Sequence, residues 1–139
     1  MITFGTDITI EDLVDTLGFF DSWEERYKYI IDLGKEIPVA DDSFKLDERL
    51  IKGCQSRVWI DCRKEGNNLF FIVDSDAHIV KGLLGVVLVA YNGKSAQEVL
   101  DFDVEAYFSQ LDLIKHLTPT RGNGLRSMVQ RIRDFASNS

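Results

Sequence analysis

The chemistry open to this chain starts with two thiols, Cys54 and Cys62. Cys54 stands in Gly53-Cys54-Gln55-Ser56, between the apolar pair Leu50-Ile51 and the run Val58-Trp59-Ile60. Free cysteines are commonly buried and inert, so one reading makes Cys54 a small hydrophobe. Its flanks favour another. A core cysteine belongs inside an apolar period, whereas Gly53 and Gln55 put this sulfur at a turn, where a thiolate can serve as a nucleophile. No histidine stands at a spacing that identifies an activating partner, and spacing alone could not establish one. Cys62 falls on the same side of an extended run as Val58 and Ile60, which suits packing. To resolve a disulfide with Cys54 it would need the two Cα atoms within about 6 Å, while eight extended residues span up to about 26 Å, so a sharp reversal would be required.

Other chemistries have less support. The seven residues between the cysteines exceed the two to four usual for zinc, and His78 and His116 are isolated from both, so no metal site is expected. His78 opens an apolar helical stretch and His116 precedes Leu117-Thr118-Pro119; neither is informative by itself. No glycine-rich turn joins a strand to a helix with Lys-Ser/Thr behind it, which argues against a phosphate loop.

The elements that must position these groups come from 139 residues, 45% apolar and 28% charged, with a formal charge of −7. That composition fits a single globular domain over residues 1–139. Residues 1–50 hold 13 acids and 5 bases, and residues 51–139 hold 10 acids and 11 bases, so the acidity belongs to the first third. Nucleic acid is not the expected partner, because backbone binding needs a concentrated positive surface. The basic group Arg121, Arg126, Arg131 and Arg133 is mostly explained by cations complementing the dipole near the end of a terminal helix, with Arg121 ahead of the apolar pattern that marks it. The longest nearly uninterrupted apolar stretch, Ile79 to Tyr91, has thirteen residues and includes Lys81, against roughly twenty needed to span a bilayer. With no secretory signal pattern at the start, the cytoplasm is the expected location, with no membrane partner.

Periodicity supplies the elements. Thr9-Ile10-Glu11-Asp12 opens a short helix, and Ser22-Trp23-Glu24-Glu25 a longer one over roughly 22–36, ending before Pro38. Val58-Trp59-Ile60 and Leu69 to Val73 read as a hairpin around turn residues 64–68, with Leu50-Ile51 as a short third strand. Asp74-Ser75-Asp76 ends the second strand and offers a helix cap; the helix that follows is apolar almost all round, and Gly82 and Gly85 predict close packing on the sheet. Ser95-Ala96-Gln97-Glu98 caps a short helix, Val104 to Leu111 marks another, and the last runs from Thr120 or Arg121 to Phe135. Trp23, Tyr27, Trp59, Phe70 and Phe71 follow these periods and are read as core. The expected fold is α+β, a small antiparallel sheet of about three strands covered by helices.

Four blocks carry a resemblance: Trp23-Glu24-Glu25-Arg26-Tyr27 with Ile31-Asp32-Leu33-Gly34; Gly53 to Trp59; Asp74 to Gly82; and His116-Leu117-Thr118-Pro119-Thr120-Arg121 with Gly124-Leu125. In this order, over nearly the whole chain, they resemble the SufE family of sulfur acceptors. Phe4-Gly5-Thr6 resembles the CsdE branch, whereas the Gly-Cys-Gln-Ser loop is similar to SufE proper. The resemblance implies a fold shared with IscU-type iron–sulfur scaffolds. It implies that Cys54 takes sulfane sulfur as a persulfide from a cysteine desulfurase of the SufS or CsdA kind and passes it to a downstream iron–sulfur scaffold or other sulfur acceptor. Gly53, Gln55, Ser56, Arg57, Asp76 and Arg121 then support the loop or the partner surface. No cofactor belongs to this chain; pyridoxal phosphate is expected on the desulfurase. The rival readings are a thiol redox enzyme using Cys54 and Cys62, an iron–sulfur scaffold, for which two cysteines fall short of a four-cysteine ligand set, and a purely structural adaptor.

Overall fold

The computed structural model describes residues 4–38, 43, 45, 49–51 and 56–138. Thr9 starts α1 (Ile10–Phe19), as the sequence predicts, and does so as a reciprocal cap: its hydroxyl accepts from the Asp12 amide while the Asp12 carboxylate accepts from the Thr9 amide. Ser22 caps α2 (Trp23–Gly34) by accepting from the Glu25 amide. There follow β1 (Val58–Glu65), β2 (Asn68–Ser75), α3 (His78–Tyr91), β3 (Lys94–Ser95), α4 (Ala96–Asp101), α5 (Val104–Leu111), a 3-10 turn at Ile114–His116, and α6 (Pro119–Ser137). The architecture is α+β, and none of these helices is long and apolar enough to cross a membrane.

The sheet is antiparallel in the order β1-β2-β3. β1 and β2 pair from Val58 opposite Ser75 to Glu65 opposite Asn68. The hairpin turns on Gly66-Asn67, with Gly66 at φ +61°, a left-handed position glycine takes without strain. The third strand differs from the sequence expectation. Leu50-Ile51 makes only a single bridge, Leu50 to Trp59, with the Ile51 amide donating to the Val58 carbonyl at 2.8 Å. The third strand is instead Lys94–Ser95, which pairs with Leu69 and Asn68. Two polar residues carry no alternating apolar signal, so periodicity has nothing to find there.

α3 is buried at every position from Gly82 to Tyr91 and is covered on several sides. The sheet, α2 and α6 pack on it, and the Tyr107 hydroxyl from α5 donates to its Val86 carbonyl at 2.8 Å. Its glycines face helices and not the sheet, contrary to the sequence expectation. A Cβ on Gly82 would overlap the Ile30 carbonyl of α2, one on Gly34 would lie 2.6 Å from the Gly82 nitrogen, and one on Gly85 would meet Leu33 at 3.1 Å. The two backbones therefore approach as closely as glycine permits.

Two further expectations change. Trp59 and Phe71 are buried, but Trp23, Tyr27 and Phe70 are only half-buried. Trp23 stacks on His116 with ring centroids 4.0 Å apart, and the Tyr27 hydroxyl donates to the His116 carbonyl, so these aromatics hold the 3-10 turn instead of filling the core. The α6 arginines do not serve the helix dipole: its last turn contains no base. Arg126 pairs with Glu105 at 3.3 Å, Arg131 donates to the Leu50 carbonyl at 3.0 Å, and Arg133 donates to the Leu100 carbonyl at 3.2 Å. Each ties α6 to another part of the chain.

Gly82→Ala is expected to cost about 2–3 kcal/mol through overpacking. Gly18→Ala, at an exposed helical position with nothing within 4 Å of the added carbon, is expected to be neutral or stabilising by up to about 1 kcal/mol. Urea titrations of the two variants against the parent chain check the contrast.

Candidate functional site

The site is built from three segments: the connection between Ile51 and Val58, the elbow between β2 and α3, and the first turns of α6. Gly53, Cys54 and Gln55 lie outside the described residues; Ser56, Arg57, Asp76 and Arg121 lie within them. The hydrogen bond from the Ile51 amide to the Val58 carbonyl closes a connection of six residues, 52–57.

The elbow holds the exit of that connection. The Arg57 amide donates to Asp76 Oδ1 at 3.1 Å, the Asp76 amide donates to the Arg57 carbonyl at 3.3 Å, and the Ser75 hydroxyl donates to the same carbonyl at 2.7 Å. Both backbone polar groups of Arg57 are thus satisfied by one short segment. The elbow is itself anchored. Asp74, 2% exposed, lies 3.2 Å from Lys81 Nζ and 3.8 Å from Lys45 Nζ and accepts from the Ser75 amide. A charge so deeply buried needs such partners. The sequence expectation that an acid here caps α3 is therefore corrected: Ala77 occupies the cap position without a side-chain hydrogen bond, because Asp74 is taken up by the lysines and Asp76 by Arg57.

α6 forms the facing wall. Thr118 caps it by accepting from the Arg121 amide at 3.3 Å, with Pro119 in the first turn. Arg121 belongs to that first turn, in keeping with a helix read from Thr120 or Arg121, and the cap lies slightly earlier, at Thr118, ahead of the apolar period that marked the helix. Ser56 and Arg121 border one recess of about 40 Å³, whose apolar lining includes Val80, Leu83 and Met128. That is room for only a few water-sized groups. The recess joins the end of the 52–57 connection to a guanidinium distant in sequence. The positive end of α6 lies at the same place.

Cys62 faces inward on β1 beside Val58 and Ile60, opposite Phe71, and is half-buried. Burial, and secondarily the neighbouring Asp61 carboxylate, push its thiol pKa up, against a smaller opposing effect of the Phe70 backbone. A raised pKa means less thiolate and weaker nucleophilicity at neutral pH. His78 is exposed, and His116 is occupied by Trp23 and by Asp112 at 3.5 Å. Among the described residues, no group of three or more His, Cys, Asp or Glu side chains is placed to hold a metal ion. Sequence reasoning missed Ser75 and Arg131 as ties on the connection's ends: a serine beside aspartates and an arginine in a helix carry no distinctive pattern.

An α+β protein with a hairpin-edge connection held between a strand-to-helix elbow and a helix N-terminus is the class that this geometry defines. Residues 11–136 match the family described as "SufE: Fe-S metabolism associated domain". An uncharacterized SufE-like protein of Rhizobium etli is 41% identical over 132 residues, 92% of this chain and 89% of the relative. Another, from Rhizobium meliloti, is 39% identical over 92% of this chain and 94% of its own. The solution structure of a hypothetical protein from Thermus thermophilus superposes with a TM-score of 0.75 over 93% of both chains at 18% identity, a likeness of fold alone. The chain belongs to the SufE family, and with it to iron–sulfur metabolism.

Asp76→Ala should speed exchange of the Arg57 amide about fivefold, the equivalent of roughly 1 kcal/mol for one lost hydrogen bond. Amides of α3 should stay unchanged. Hydrogen-exchange NMR separates the two, and equal acceleration of both would show global destabilisation instead.

Proposed function

We propose that this chain, acting as one domain over residues 1–139, is a sulfur acceptor. It takes sulfane sulfur on Cys54 from a pyridoxal-phosphate cysteine desulfurase of the SufS or CsdA type, stimulates that enzyme, and passes the sulfur to an iron–sulfur scaffold or another acceptor in the cytoplasm. The observation that carries the reading is the recess shared by Ser56 and Arg121. Two peptide units, at most about 7 Å of chain, separate Cys54 from Ser56. A guanidinium and a helix N-terminus close to a thiol favour its thiolate. Among the described residues no carboxylate pairs with the Arg121 guanidinium, which leaves that charge available.

The transfer balances without an oxidant. The Cys54 thiolate attacks the outer sulfur of the partner's cysteine persulfide; a bond forms between Cys54 Sγ and that sulfur, and the partner's S–S bond breaks with its electron pair leaving on the partner's cysteine as a thiolate. The proton on the outer sulfur travels with it. Attack on the inner sulfur would release sulfide and leave a mixed disulfide, so the docking geometry must present the outer atom. Exchange of this kind is fastest when the attacker is ionised and the leaving thiol is acidic. An open persulfide would lose its sulfur to cytosolic thiols, and the apolar lining of Val80, Leu83 and Met128 supports a sheltered seat beside the connection.

The thiol redox alternative needs Cys62 as resolver, and its raised pKa and inward, half-buried position weigh against that role. Steady-state desulfurase assays, following alanine formation from cysteine, discriminate. Cys54→Ser should abolish stimulation, by about tenfold or more, while Cys62→Ser should stay within about twofold of the parent. Loss of activity in Cys62→Ser alone would favour the redox reading.

A further inference from the structure

α1 and α5 leave an open groove of about 290 Å³ between them, lined by Ile10, Glu11, Val14, Asp15 and Gln110. It shares no residue with the recess. Ile10 and Val14, partly buried against the core, supply its apolar part. Glu11 and Asp15 are exposed, and among the described residues neither carboxylate has a hydrogen-bond or ion-pair partner. Neither helix carries a base. Helical spacing continues both rows by one turn, from Ile10 and Val14 to Gly18, and from Glu11 and Asp15 to Phe19. Phe19 is 81% exposed, with its ring set edge-on to Phe20. Gly18 is harder to explain within the fold: nothing lies within 4 Å of a Cβ built there, and its φ is not positive. Glycine is a poor helix former, so this residue weakens α1 with no return inside the chain.

We propose that the α1–α5 groove, extended by Gly18 and Phe19, is a docking surface for a cationic amphipathic helix of a partner protein. Both walls are helices whose backbone groups are already bonded along their own axes, so an extended segment finds no strand edge to pair with. A helix arrives with its backbone satisfied. Its apolar ridge lies on Ile10 and Val14, and lysines or arginines beside that ridge meet Glu11 and Asp15, which no base of α1 or α5 neutralises. Phe19 is the aromatic anchor at one end. Gly18 gives the missing return: without a side chain there, the backbone of the arriving helix comes close. From Ile10 to Phe19 the surface runs about 14 Å, two and a half helical turns. This surface is independent of sulfur acceptance, since docking on it leaves the recess uncovered by the same contacts.

The test uses the isotope-labelled full chain and NMR titration with a synthetic helix of about 18 residues made of Ala, Leu and Lys, its leucines three and four apart and its lysines beside them. One control peptide exchanges every Lys for Glu, and another scrambles the leucine spacing. Shift changes should be confined to α1 and α5, Gly18 and Phe19 included, with a Kd below about 1 mM, and both controls should bind about tenfold more weakly or worse. Gly18→Gln replaces a poor helix former with a good one, so it should keep or raise the melting temperature while weakening binding about fivefold or more. Phe19→Ser, at an exposed position, should weaken binding by a similar factor. Shift changes spread over the exposed acids of α2, equal binding of the scrambled peptide, binding unchanged in Gly18→Gln, or no binding up to about 1 mM each overturn the proposal. If the free protein instead shows concentration-dependent shifts at α1 and α5 that Gly18→Gln abolishes, the occupant is a second copy of this chain, and the partner helix is overturned.

Discussion

A helix that is apolar around its whole circumference has no side to turn to water, and α3 imposes that condition on everything packed against it. The hairpin cannot remain a bare two-stranded ribbon; it lays the face of Val58, Ile60, Leu69, Phe71 and Val73 toward the core that α3 centres. α2 closes on α3 at the Gly34–Gly82 contact, where any added carbon meets backbone. α6 supplies Leu125, Met128, Val129 and Ile132 to the same core. Wrapping one helix in this way brings the start of α3, the exit of the 52–57 connection and the N-terminus of α6 to one place, and the recess is a by-product of that wrapping.

Charge then decides what the place can do. The buried Asp74 between Lys81 and Lys45 fixes the elbow, which leaves Asp76 and Ser75 to hold Arg57 by its backbone. The excess of acids lies in the first fifty residues, whereas the recess is bordered by Arg121 and the positive end of α6. An anionic sulfur species is better accommodated there than on the acidic part of the chain. Cys62 sits in the opposite circumstance, with burial and Asp61 both disfavouring its anion. That thiol is set for packing and not for attack.

Much of this was legible in the residues. Of the two boxes read from the sequence, Ser95 formed a reciprocal cap with Glu98 and Ser22 caps its helix by accepting from the Glu25 amide; the hairpin fell on its β-branched and aromatic runs, and the apolar helix was buried. These are local rules, readable from neighbours a few positions away. What escaped depends on tertiary approach. The two-residue strand at Lys94–Ser95 exists because β2 has a free edge there; Gly82 faces Ile30 and not the sheet; Asp74 became an ion-pair hub because the first turn of α3 brings Lys81 back over the end of β2. Among the site residues, the family resemblance names Ser56, Arg57, Asp76 and Arg121 as support for the loop or the partner surface without saying which would meet; the recess shared by Ser56 and Arg121 and the bonds between Arg57 and Asp76 are tertiary, and Arg131 and Ser75 carry no local sign of their long-range bonds.

The central claim is that one thiol of this chain carries sulfur. Incubating the protein with a cysteine desulfurase and cysteine, quenching, and locating adducts by peptide mass spectrometry tests it most directly. The peptide containing Cys54 should gain the mass of one sulfur atom, removable by a reducing thiol, while the Cys62 peptide stays unmodified. Added sulfur on Cys62 alone, or on neither peptide while the enzyme turns over, would contradict it.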